Sequence, residues 1–259
     1  MDQEDLKHMK IWFDDHVTGY HTDDSGYNYP LQLKKDHTKR VCENIVMIGK
    51  AMNLSGYELI LAETMALFHD IGRFEQYAKY GTFSDLASEN HAKLSLRQMA
   101  IHGVLSKKAK DEKRLITKAI AYHNAAALPD VHDERELFYM RLLRDADKLD
   151  IWKVVIDYYH NRDRFKSPAI ELNLSDDPIW SGKIIDAVAN KKTVHIKDVK
   201  TLNDFKLLQI SWAFDLNFTP SFQTVEHRKY LHLIEATLPQ SPEIENAVAL
   251  VHSYVKSHL

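Results

Sequence analysis

Apolar residues recur along most of this chain at intervals of three and four, the period of one face of an α-helix. The pattern predicts an all-α fold. A polar stretch ending at Pro30 leads into a helix from about Leu33 to Met52. A second helix is predicted over Tyr57–Ile71, with Gly72 as a left-handed C-terminal cap. A third starts at Ser88 as N-cap and runs to Leu105, a fourth starts at Asp111 and stops before Pro129, and a fifth starts near Asp133. Residues 162–177 are richer in Pro, Asp and Asn and read as a loop. Beyond them TVHIKDV reads as extended, and LNDFKLLQISWAFDLNF, SFQTVEHRKYLHLIEATL and SPEIENAVALVHSYVKSHL as helical. The organisation expected is an N-terminal extension over 1–30, a helical core over 31–160 and additional C-terminal helices over 161–259. With no flexible linker between them, the last two are expected to pack as one domain.

Composition narrows the classes. The 259 residues are 44% hydrophobic and 27% charged, with a formal net charge of −3, and Gly (8) and Pro (7) are too scarce for a turn-rich β fold. No polybasic footprint for nucleic acid or anionic lipid is present, so no nucleic acid polymer is expected as a partner and any anionic partner must be met by local positive charge. The single cysteine, Cys42, excludes an internal disulfide and a cysteine-based zinc cluster and fits a reducing cytoplasm. The N-terminal MDQEDLKHMKIW lacks the basic and apolar regions of a signal peptide, and no uncharged apolar run approaches the roughly 20 residues that span a bilayer. A cytoplasmic protein that is not integral to a membrane is expected. What stands out is 15 histidines, the commonest metal ligand and proton carrier.

Several of them share helix faces with apolar residues. His37 falls with Leu33, Val41, Ile45 and Ile48, and the stripe Leu59, Ala62, Met65, Ala66 runs into His69, with Asp70 beside it. His91 precedes Leu94, Gln98 and Ile101, His123 follows Ile116, Ala119 and Ile120, and Asp147 lies with Met140, Leu143 and Ile151. Any one of these alone is ordinarily a core residue with a satisfied hydrogen bond. Six directed inward from five helices would cost about 1–3 kcal/mol for each unpaired group, and a shared metal removes that cost. Imidazole and carboxylate without thiolate suit one or two divalent transition ions, Fe, Mn, Zn, Co or Ni, with Asp70 the candidate bridge. The pair His132–Asp133 is an internal control: it lies in a polar stretch after Pro129, where Asp133 serves as a helix cap.

The ordered set His37, His69–Asp70 in HDIGRF and Asp147 in RDADKLD resembles the HD-domain metal-dependent phosphohydrolases over about residues 30–160. The resemblance implies a helical core in which those four positions bind metal, and His91 and His123 match the two extra histidines of binuclear members. The Gly-Tyr-Pro signature of the cyclic-dinucleotide branch is absent, which disfavours that substrate. Arg73 stands where many relatives carry lysine and looks like a phosphate contact, or else an ion pair with Glu63 or Glu75. Lys148, beside Asp147, is a second candidate contact. The function implied is cleavage of a phosphoester, of a nucleotide or a small phosphorylated metabolite, by metal-activated hydroxide, with His69, Asp70, Arg73 and Lys148 as catalytic candidates. The alternatives are a metal- or nucleotide-binding regulatory protein with a non-catalytic core and a di-iron oxygenase on the same fold. Asp145 and Asp150 read as solvated positions on other sides of the helix, and Trp212, Phe214 and Phe218 as core. Arg228 reaches the site only if the C-terminal helices fold back over the core.

Overall fold

The computed structural model describes residues 1–163, 166 and 168–259. Among them it contains no strand, only an isolated parallel bridge between Ser175 and Thr201, so the fold is all-α. The chain divides into two compact units, Met1–Asp150 and Ile151–Leu259.

The first unit holds α1 (Gln3–Thr18), α2 (Ser25–Ala51), α3 (Gly56–Phe68), α4 (Gly72–Tyr80), α5 (His91–Ile101), α6 (Lys110–Tyr122) and the start of α7 (Glu134–Asn161). Helix α1, which the sequence reading left unassigned, buries Leu6, Met9, Phe13 and Val17 and opens on a capping box between Asp2 and Asp5. It packs through Trp12 near Phe68, at 5.9 Å between ring centroids, and Phe13 edge-on to Phe74, at 6.1 Å. Helix α2 begins at Ser25, earlier than expected, because Asp24 accepts from the amides of Gly26 and Tyr27. Pro30 lies inside its second turn, where it forfeits one backbone bond without ending the helix.

Gly72 is not a left-handed cap. Helix α3 ends at Phe68, and Gly72 opens α4 through a tight turn over residues 69–71. A Cβ at Gly72 would lie 2.4 Å from the Ser95 amide nitrogen, 2.6 Å from Leu94 Cβ and 2.7 Å from the His91 carbonyl oxygen. The absent side chain therefore lets α5 approach closely. The N-cap of α5 is Asn90, accepting from the Lys93 amide, while Ser88 turns its hydroxyl to the Ser84 carbonyl at 2.7 Å.

The second unit holds the rest of α7, α8 (Pro168–Glu171), α9 (Gly182–Ala189), α10 (Leu202–Ser211), α11 (Thr219–His227), α12 (Tyr230–Glu235) and α13 (Pro242–Lys256). The loop expected at 162–177 includes residues 164, 165 and 167, which lie outside the described residues, and α8 falls within it. TVHIKDV forms a 3-10 turn over Ile196–Asp198 in place of an extended segment, and α10 passes into a second one at Trp212–Asp215. Trp152 is fully buried and donates to the Gln209 carbonyl at 2.9 Å. Trp212 lies 6.3 Å from Trp152, Phe214 lies 5.0 Å from Tyr254, and Phe218 is buried, so these aromatics serve the core. Arg228 covers the Tyr230 ring at 5.9 Å and donates to its hydroxyl at 3.0 Å. Among the described residues no helix is long and apolar enough to cross a membrane.

Candidate metal centre

The first unit brings six histidine and aspartate side chains together. His37 comes from α2, His69 and Asp70 from the turn after α3, His91 from the first residue of α5, His123 from the position after α6, and Asp147 from α7. Asp70 stands between two groups of ligands. Its Oδ2 is 3.6 Å from His37 Nε2 and 3.7 Å from His69 Nε2, whereas its Oδ1 is 3.4 Å from His91 Nε2 and 3.8 Å from His123 Nε2. Asp147 Oδ1 joins the first group, 3.2 Å from His37 Nε2 and 3.6 Å from His69 Nε2. The centre is thus two halves sharing one carboxylate.

The outer nitrogens fix the ring tautomers. His69 Nδ1 faces the Ala66 carbonyl at 2.7 Å and His123 Nδ1 the Ile120 carbonyl at 2.8 Å. His37 Nδ1 faces Asp150 Oδ2 at 2.7 Å and His91 Nδ1 faces Asp85 Oδ2 at 2.7 Å. All four partners are acceptors, so each Nδ1 carries a hydrogen, and whenever the ring is neutral its Nε2 lone pair turns inward. Two pairs of these inward nitrogens then meet, His37 with His69 at 3.3 Å and His91 with His123 at 3.0 Å. Asp70 Oδ1 is buried with no hydrogen-bond partner among the described residues. With the rings neutral, lone pairs face lone pairs beside an orphaned carboxylate oxygen, and a divalent cation satisfies them all. The residues fit such an ion.

A family model described as HD domain matches residues 35–161. This segment is an HD domain. Such domains bind divalent metals, and their superfamily is mostly metal-dependent phosphohydrolases with some non-catalytic members. No curated protein and no solved structure matches the chain.

Around the ligands the HD domain supplies a second layer of contacts, parts of which the sequence reading missed. Asp150, expected on the solvated side of α7, is 1% exposed and holds His37, while Arg40 donates to it from Nε at 2.5 Å and from Nη2 at 3.1 Å. Asp145 is buried too. Arg144 Nη1 donates to the carbonyls of Tyr122, His123 and Ala125, capping the end of α6 from which His123 projects. Ser95 Oγ donates to the His69 carbonyl at 2.7 Å and accepts from the Gly72 amide at 2.9 Å, fixing the turn that carries His69 and Asp70.

Arg73 does not pair with Glu63 or Glu75. Its Nη1 donates to Gln76 Oε1, the Phe83 carbonyl and Asp85 Oδ1, and its Nε lies 3.5 Å from Asp70 Oδ1. Asp85, unsuspected in the sequence, also accepts from Gln76 at 2.9 Å and Asn124 at 3.2 Å. Lys34, likewise unsuspected, donates to Asp70 Oδ2 at 2.8 Å. Lys148 follows Asp147 on α7 and is buried. His132 is exposed, and Asp133 caps α7 by accepting from the amides of Arg135 at 2.9 Å and Glu136 at 3.3 Å. A further grouping, His232, Glu235 and His252, belongs to the second unit, where its imidazoles stack at 4.1 Å and 22°.

The electrostatics agree with anionic carboxylates and with neutral inward nitrogens at His91 and His123. Burial opposes ionisation of Asp70, yet Lys34, His69, Arg73 and His91 hold its pKa well below the ordinary value. Asp147 is lowered against the same burial by the imidazoles of His37 and His69 beside it. Burial and then Arg73 depress His91, and burial with His91 and His69 pushes His123 down to about 3. His37 goes the other way: burial and Lys34 lower it, and its bonds to Asp147 and Asp150 more than reverse them.

Proposed function

We propose that the HD domain is a metal-dependent phosphohydrolase acting on a phosphoester of a nucleotide or small phosphorylated metabolite. One observation carries the reading: four imidazole Nε2 atoms and the two oxygens of Asp70 converge in two halves suited to cations. Divalent ions held by His37, His69, Asp70 and Asp147 on one side and by Asp70, His91 and His123 on the other would supply Lewis-acid activation of a phosphoryl oxygen and a nucleophile from water near neutral pH. The chain's own residues do the rest. Asp70 divides its oxygens between the halves, so both groups of ligands are referred to one rigid turn. The buried walls strengthen each interaction by weakening solvent screening. Arg73 places a fixed positive charge beside Asp70, anchored through Nη1, and with Lys148 is the proposed contact for the phosphate.

Metal content per chain tests the reading, on protein purified without chelator or nickel resin and with Asp70→Ala as the paired variant. Two ions in the wild type and loss of both in the variant are expected, followed by metal-dependent turnover in a phosphoester screen. No uptake even after loading overturns it.

A further inference from the structure

The cations around Asp70 are not anchored alike. Arg73 is tied through Nη1 to a side-chain amide, a backbone carbonyl and Asp85. Lys34 makes its hydrogen bond to Asp70 Oδ2 at 2.8 Å, its charge acts on His37, and its Nζ lies 5.8 Å from the centre of the Phe83 ring. It sits one turn before His37 on α2, its side chain is 22% exposed, and four methylenes give it a path toward solvent. The oxygen it holds is the one that faces His37 and His69. An ammonium and a divalent cation on one carboxylate oxygen repel strongly where water screens little.

We propose that Lys34 is an exchangeable counter-ion of Asp70: it neutralises the carboxylate while the His37–His69 half is without its ion, and an arriving ion releases it to bind an anionic oxygen of the substrate. The ion pair and metal occupancy then exclude each other, and the site gains a mobile positive group only once it is loaded. The inference rests on the metal reading above. It assigns to a flexible lysine what Arg73, fixed in place, cannot do, namely follow an anion from the mouth of the site inward.

Three measurements on the full chain test it. Acylation of Lys34 by a water-soluble amine reagent, read by mass spectrometry with and without Mn²⁺, is expected to be several-fold faster in the loaded protein. Equal or slower labelling overturns the release, and this arm needs no variant. In chelator competition Lys34→Met is expected to bind Mn²⁺ about tenfold more tightly than the wild type, and unchanged or weaker binding overturns the competition. In calorimetry with inorganic phosphate the Mn²⁺-loaded Lys34→Met protein is expected to bind about tenfold more weakly and Lys34→Arg near the wild-type level. Equal phosphate affinity in Lys34→Met overturns the anion contact. A wild type that takes up no Mn²⁺ overturns the metal reading itself and this proposal with it, whereas failure of any single arm on a loaded wild type strikes only Lys34.

Discussion

Asp85 and Asp150 do equivalent work from different kinds of structure. Asp150 is locked within α7 by Arg40, whereas Asp85 lies in the irregular segment between α4 and α5, its side chain 27% exposed, and holds His91 together with Arg73, Gln76 and Asn124. Removing either leaves one ligand ring without its orienting acceptor, at a cost of about 10- to 100-fold in metal affinity. Asp150→Ala is therefore expected to weaken the ion at His37 and His69, and Asp85→Ala the one at His91 and His123. Chelator titration should show one ion lost early in each variant, and a different one. His132→Ala should change neither, because that histidine is exposed and its neighbour Asp133 acts as a cap. The candidate ligands are legible in the sequence because five of them share an apolar helical face and Asp70 adjoins His69. Asp150 differs from Asp145 in helical phase: from Asp147, a step of three returns to nearly the same face of a helix and a step of two does not. Asp85 and Lys34 left no such signal, since their significance comes from contacts 6 and 36 residues away in sequence.

At the scale of elements, helix interiors could be read and their ends could not. Apolar periodicity locates α2, α3, α5, α6 and α7, but boundaries depend on single caps, and the cap chosen for α5 was two residues early. Gly72 shows why local rules fail there: glycine after an apolar helix suggests a left-handed cap, and only the approach of α5 reveals its purpose. Gly72→Ala forces a rigid Cβ against the Ser95 amide and the His91 carbonyl, which no rotamer relieves, and should cost about 1–3 kcal/mol. Its thermal midpoint in chelator is expected to fall, and because the displaced atoms include the His91 carbonyl, it should also retain less metal at the His91 half. Ser95→Ala should act more mildly, losing the two bonds that pin the His69–Gly72 turn while leaving the space intact.

For the whole molecule, the centre is expected to tie stability to pH and to metal. His123, held near 3 by burial and its histidine neighbours, and His91, lowered as well, stay neutral in the folded state while their unfolded counterparts take up protons below about 6.5. Between those limits the unfolded chain binds more protons, so stability rises with pH across the window and is lost as pH falls through it. His37, whose pKa is raised, contributes with the opposite sign, favouring the fold below about 6.5 and losing that contribution as pH rises through its folded value. Metal-free protein is expected to melt at progressively lower temperature as pH is taken from about 6.5 toward 3, and His123→Asn to flatten that slope. Loading with metal at about 100 times the dissociation constant adds about 2.7 kcal/mol, visible as a rise in melting temperature that chelator reverses.

The ligands are also scattered along the chain, from His37 on α2 to Asp147 on α7, and that spacing gives the centre a place in time. Segments so distant must close large loops before they meet, so the complete ligand set is among the last things a refolding chain assembles. An ion added during refolding would be captured only by molecules whose first unit has finished docking, which makes metal uptake a clock for the end of folding, running behind any signal of helix formation.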